Sequence, residues 1–160
     1  MMEEYVTMRV SGVSVEEGDA LPLVYLRESP ATGEGGISVR VDPFEASAIL
    51  LQLEGITPAR PLTHDLMAEL FREGGMSLER AEIFGSPTEA PRARIVYRHG
   101  FTHRAKEVRP SDALALALRL DAPIIAERGL MTGPARTLSF RPEGVGGEKA
   151  KPRRRGSSGA

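Results

Sequence analysis

Two segments of the chain carry the residue types that phosphate chemistry needs. Arg60-Pro61-Leu62-Thr63-His64-Asp65-Leu66 and Arg109-Pro110-Ser111-Asp112-Ala113-Leu114 echo one another, each setting Arg-Pro just before a hydroxyl residue and an acid. Thr63 and Ser111 are expected to cap helices, whose unpaired N–H groups and positive dipole ends attract anions. Arg60 and Arg109, stiffened by the following Pro, could each offer a bidentate fork to a phosphate. Asp65 and Asp112 are candidate ligands for a divalent cation such as Mg²⁺, or could polarise a water for phosphodiester cleavage. His64, in a first helical turn where the dipole disfavours its charged form, is a candidate general base or ligand.

The same residues also admit a purely architectural reading. Thr63 and Ser111 would then be ordinary caps, with Arg60 pairing Asp112 and Arg109 pairing Asp65 as a clasp between elements. His99 and His103 flank Gly100-Phe101, and the neighbouring alternation predicts strand-turn-strand with solvated histidines rather than a helical metal pair. Glu16-Glu17-Gly18-Asp19 lacks the alternating ligand spacing of a calcium loop. No Walker loop, dinucleotide-binding glycine fingerprint, nucleophile elbow or His-Glu-x-x-His occurs.

The elements that must position these residues follow from pattern. Val6, Met8 and Val10 alternate with polar residues, and residues 21–27 and 37–41 read as two further strands of an antiparallel meander. Asp42, Pro43 and Glu45 form a capping box that opens a helix with the apolar stripe Phe44, Ala48, Ile49, Leu51 and Leu53, stopped at Gly55. A second helix from Thr63 carries Leu66, Met67, Leu70 and Phe71 and ends at Gly74-Gly75. Strands are expected at 78–84, 92–98 and 101–108. The third helix, capped by Ser111, is apolar on nearly all sides from Ala113 to Leu118, which predicts a place between layers or at a subunit contact. Its tight connection to the short strand at 123–126 predicts a crossover against the sheet.

Composition narrows the chemistry. With 160 residues, one domain is expected, over 1–132, followed by a disordered basic tail over 133–160. Cys is absent, which excludes disulfides, zinc-thiolate sites and thiol nucleophiles. With no Trp, three Tyr and five Phe, a stacked-aromatic platform for single-stranded nucleic acid is hard to build. The start has no apolar signal segment and no run could span a bilayer, so a cytoplasmic protein without membrane contact is expected. The net charge of −1 conceals an asymmetry. Residues 141–160 hold six basic and two acidic residues, or +4, leaving 15 basic and 20 acidic residues, or −5, in the body.

RPLTHDL at 60–66 and RPSDALALALRLDAPI at 109–124 resemble the bifunctional nuclease domain family, and ISVRVDPFEASAIL at 37–50 is similar to the family's strand and helix opened by an acid-Ala pair, here Glu45-Ala46. The resemblance covers roughly residues 6–131. It implies an α+β domain with a mixed, largely antiparallel sheet packed by three to four helices, assembled as a homodimer or higher oligomer. It also implies a nuclease acting on DNA and RNA. The matching motif positions are Glu45, Arg60, Thr63, His64, Asp65, Arg109, Ser111 and Asp112, with Arg60, Thr63, Arg109 and Ser111 expected on substrate, His64, Asp65 and Asp112 at the chemistry, and Glu45 behind them. Lys106-Glu107-Val108 departs from the acidic and small residues that often lead into Arg-Pro-Ser-Asp, which bears on substrate access. The additional C-terminal domain of some plant relatives is not expected. The contrasting expectation is a non-catalytic oligomeric module with an anion- or partner-binding site at the two helix starts.

Overall fold

The computed structural model describes residues 4–15, 21–30 and 35–131. Seven strands form one sheet in the order β3-β2-β1-β7-β4-β5-β6, where β1 is Tyr5–Ser14, β2 Leu23–Glu28, β3 Gly36–Arg40, β4 Met76–Phe84, β5 Arg92–His99, β6 Thr102–Val108 and β7 Ile124–Glu127. The first three strands make one antiparallel meander and β4 to β6 another. β7 joins them, antiparallel to β1 and parallel to β4. A mixed α+β sheet is therefore present, and the helix preceding β7 does make a crossover. Three α-helices occur among the described residues: α1 Pro43–Leu53, α2 Thr63–Glu73 and α3 Pro110–Arg119. The turn at Glu16–Asp19 and the tail over 133–160 lie outside the described residues.

α3 is the centre of the helical layer. It contacts α1 and α2 and packs over β4 and β5. Its residues 113–117 are all buried, as an all-round apolar helix requires. At its end Asp121 turns left-handed (φ 52°) and Ala122 N–H reaches the Ala117 carbonyl, a Schellman closure that aims the chain into β7. α1 starts with the capping box expected from Asp42 and Glu45: Glu45 N–H donates to Asp42 Oδ1 at 2.9 Å, and Asp42 N–H to Glu45 Oε2 at 3.1 Å. Gly55 (φ 67°) closes it in the same way as α3 closes, with Ile56 N–H on the Leu51 carbonyl.

The faces of α1 and α2 differ from the sequence expectation. α1 buries Ala46, Ala48 and Ile49, while Phe44 is 89% exposed and Leu53 is exposed too. α2 buries His64, Ala68 and Phe71, while Leu66, Met67 and Leu70 turn outward. Each buried face combines small residues with one large apolar anchor, Ile49 in α1 and Phe71 in α2, so the close contact with α3 is made at Ala46, Ala48 and Ala68 while the remaining large side chains are left on the outer face. The caps differ as well. Helical geometry begins at Pro110, making Arg109 the cap residue and Ser111 an interior one. Thr63 is likewise the first residue of α2, and Asp65 takes over capping by accepting the Leu62 N–H at 2.9 Å.

Candidate functional site

Each helix carries an acid in its first turn, Glu45, Asp65 and Asp112, where the helix dipole favours negative charge. The starts of all three helices are linked through side chains. His64 Nε2 lies 2.9 Å from Asp112 Oδ1. Arg109 grips the same carboxylate bidentately, with Nε 2.8 Å from Oδ2 and Nη2 3.1 Å from Oδ1. Arg109 Nη1 also lies 2.6 Å from Glu45 Oε1, a charge contact without hydrogen-bond alignment that leaves this buried oxygen otherwise unpartnered. Glu45, Arg109, Asp112 and His64 thus form one continuous chain from α1 through α3 to α2.

Burial grades this chain. The His64 side chain is 10% exposed and that of Arg109 is 65% exposed, with Asp112 between them. Burial pushes the Asp112 carboxyl up, but hydrogen bonds from Arg109 and His64 outweigh it and hold the group below the ordinary carboxylate range. Asp112 is therefore ionised at neutral pH and accepts the Nε2 proton of His64, as a carboxylate fixes a histidine tautomer. Among the described residues, Nδ1 of His64 receives no hydrogen bond. A buried imidazole with one nitrogen fixed and the other free, beside an exposed guanidinium, can abstract a proton next to a bound anion.

The other expected residues fall elsewhere. Asp65 is adjacent to His64 in sequence but turns toward Arg119, whose Nε lies 2.6 Å from Asp65 Oδ1. Burial pushes the Asp65 carboxyl up, while the Leu62 N–H and Arg119 more than compensate, so it too lies below its ordinary value. Asp65 faces a separate cavity of about 440 Å³ between α1 and α2, lined also by Gln52, Ile56, Arg72 and Arg119. Arg60 is exposed and, among the described residues, makes no ion pair or side-chain hydrogen bond. Thr63 is exposed and Ser111 is buried inside α3. Neither the Arg60–Asp112 nor the Arg109–Asp65 pair forms. Asp65 and Asp112 pair with different arginines, Arg119 and Arg109 respectively. Among the described residues, no three His, Asp or Glu side chains converge for a metal. His99 and His103 lie on strands β5 and β6, and His103 Nδ1 meets Glu79 at 3.0 Å.

Arg119 is the residue that sequence reasoning missed. Its side chain is only 4% exposed and binds all three helices: Asp65 of α2, the Ala115 carbonyl of α3 at 2.9 Å and the Ala48 carbonyl of α1 at 3.1 Å. Arg72 Nη2 in turn donates to the Arg119 carbonyl at 2.8 Å. The available signal was a lone Arg in an otherwise apolar helix, since a buried guanidinium requires a carboxylate and several acceptors.

Residues 24–136 match the bifunctional nuclease domain, and the chain belongs to that family. Two uncharacterized proteins from two strains of Mycobacterium tuberculosis are each 35% identical over 124 residues, covering 78% of this chain and 73% of theirs. Among the described residues, no helix is long and apolar enough to cross a membrane.

Proposed function

We propose that this chain hydrolyses phosphodiester bonds in DNA and RNA, with His64 as general base, Asp112 holding its tautomer, and Arg109 on the phosphate. The observation that carries this reading is the 2.9 Å contact from His64 Nε2 to Asp112, which leaves Nδ1 free to take a proton from water. The guanidinium of Arg109 is exposed enough to receive a phosphate oxygen while keeping its hold on Asp112. Glu45 orients Arg109 from behind. Arg60 and Thr63, both at the surface, belong to the nucleic-acid contact in this reading, and Ser111 and Asp65 support the helix starts. Family membership supports the reaction class.

We also propose that a divalent cation such as Mg²⁺ takes part, for which Asp65 and Asp112, paired with Arg119 and Arg109, are the candidate carboxylates. A cytoplasmic location and self-association into a homodimer or larger oligomer complete the reading. Purified protein incubated with DNA or RNA, with Mg²⁺ or with EDTA, tests it. Cleavage of both polymers is expected, and its loss in EDTA supports the cation. No cleavage of either polymer under any metal condition overturns the nuclease reading.

One observation favours the contrasting reading of a non-catalytic module that binds an anion or a partner at the helix starts. Asp65, Asp112 and Glu45 are all in contact with arginines, as a structural clasp would have them, although the partners are not those expected from sequence.

A further inference from the structure

The β5–β6 hairpin ends in an aromatic ring that no other described side chain covers. Phe101 is 102% exposed, beyond even Phe44 at 89%. A tight turn puts it there. His99 pairs with Thr102, so Gly100 and Phe101 alone join the strands, and of the two only Gly100 has positive φ, 60°. That is the type II′ turn, whose twist matches that of a hairpin and whose first central position takes glycine. The turn holds Phe101 at the tip with both faces of its ring open to solvent.

One exposed apolar side chain is ordinary; the charge around this one is not. Residues 92–108 hold Arg92, Arg94, Arg98, Arg104 and Lys106 against a single acid, Glu107, or +4, in a body of net −5. Arg92 is committed to Glu107 and Arg94 to Glu82. Arg98, Arg104 and Lys106 are exposed, and among the described residues none of them makes an ion pair or side-chain hydrogen bond. Arg98 pairs in register with His103, and Arg104 with Tyr97. Cross-strand partners share a face and successive residues alternate, so Arg98 and Arg104 flank the tip on opposite faces. A free cation on each side of an open ring matches a polymer in which flat bases alternate with phosphates. No other large apolar side chain of the hairpin is exposed, so the tip offers a protein pocket no apolar patch. A base in a single strand covers the ring without the cost of being unpaired first.

We propose that the β5–β6 hairpin holds single-stranded nucleic acid, with Phe101 stacked on a base and Arg98, Arg104 and Lys106 on the flanking phosphates. The proposal takes its ligand from the nuclease reading and adds the surface that carries the strand beyond Arg109. β6 leads from the tip to Val108, and Arg109 follows at once. At the rise of an extended strand, Phe101 stands about 27 Å from Arg109, with Arg104 and Lys106 along the way. Phe101 is thus a binding residue remote from the chemistry.

Fluorescence anisotropy of a labelled, mixed-sequence single-stranded oligonucleotide tests this on the full chain. Phe101→Ala should weaken binding by about 5- to 100-fold, the worth of one base–aromatic stack, with an unchanged circular dichroism spectrum and an unchanged salt slope. Phe101→Trp should keep wild-type affinity. Arg98→Ser combined with Arg104→Ser removes two phosphate contacts, and should flatten the plot of log affinity against log salt by about 1.4. Equal affinities of wild type and Phe101→Ala overturn the inference and leave the ring to a protein partner. Failure of the wild-type chain to bind the oligonucleotide at low salt overturns it too. Repeating the Phe101→Ala comparison in His64→Ala protein separates this proposal from the nuclease reading. An effect of Phe101 there, without cleavage by the wild type, keeps the hairpin contact and sinks the reaction. Cleavage by the wild type without any effect of Phe101 does the reverse.

Discussion

His64 and Asp112 begin different helices 48 residues apart, yet Nε2 of one lies 2.9 Å from Oδ1 of the other. That contact brings the two Arg-Pro segments into one place. Arg109 then anchors the pair to Glu45 and so to the third helix start. Asp112 consequently has three tasks: it balances the dipole of α3, neutralises Arg109 and orients His64.

Removing the charge at Asp112 should alter the acid limit of the fold. The Asp112 and Asp65 carboxyls are both held below their ordinary range in the folded chain, and return to about 3.9 when it unfolds. A carboxyl lowered by folding contributes stability above its unfolded value and loses it as pH falls through the folded one. Urea resistance should therefore be level from neutrality to about pH 5 and decline below about pH 4. Asp112→Asn should make that decline shallower while lowering stability at pH 7. An acid limb identical to wild type would assign the decline to other carboxylates.

Arg119 should matter more to folding than any other charged residue of the helical layer. Arg119→Met removes the partner of Asp65 and the donors to two carbonyls at a buried position. A loss of about 3–5 kcal/mol in chemical denaturation is expected, the usual cost of stranding one half of a buried pair. A loss below about 1 kcal/mol would place Arg119 among ordinary surface charges.

Arg109 separates the two functional readings. Its side chain is largely exposed, so as a phosphate contact its replacement by Ala should cost less than about 1 kcal/mol of stability. The same variant should bind an oligonucleotide more weakly and reduce the salt slope by about 1. A destabilisation well above that, with binding unchanged, would favour the clasp.

The start of α1 gives a local check. Asp42→Ala removes the cap of a box in which both hydrogen bonds are formed, and should cost about 1 kcal/mol in thermal or urea unfolding. An unchanged midpoint would mean the first turn of α1 is held by packing alone.

What the sequence disclosed depended on how local the cause was. The Asp42–Glu45 box and the burial of α3 were legible because capping and all-round apolarity act within one turn or one helix. The stripe of α2 was not, because Leu66, Met67 and Leu70 form as good an apolar face as the one that is buried. Local pattern cannot say which face meets the core and which is left over. The approach of the two helix starts was anticipated as a possibility, but its pairings were not. Arg109 took Asp112 three residues away, and Asp65 went to Arg119, whose position depends on how α3 crosses α2. The central place of β7, from the end of the described chain, likewise rests on long-range pairing.

The role of His64 is tested most directly by comparing kcat/KM of the wild-type chain and of His64→Ala on one fluorescent oligonucleotide, purified side by side and checked for folding. A fall of about 10²–10⁴ is expected for loss of a general base. Equal rates in the two proteins would contradict it, because a histidine fixed by Asp112 would then have no part in the cleavage.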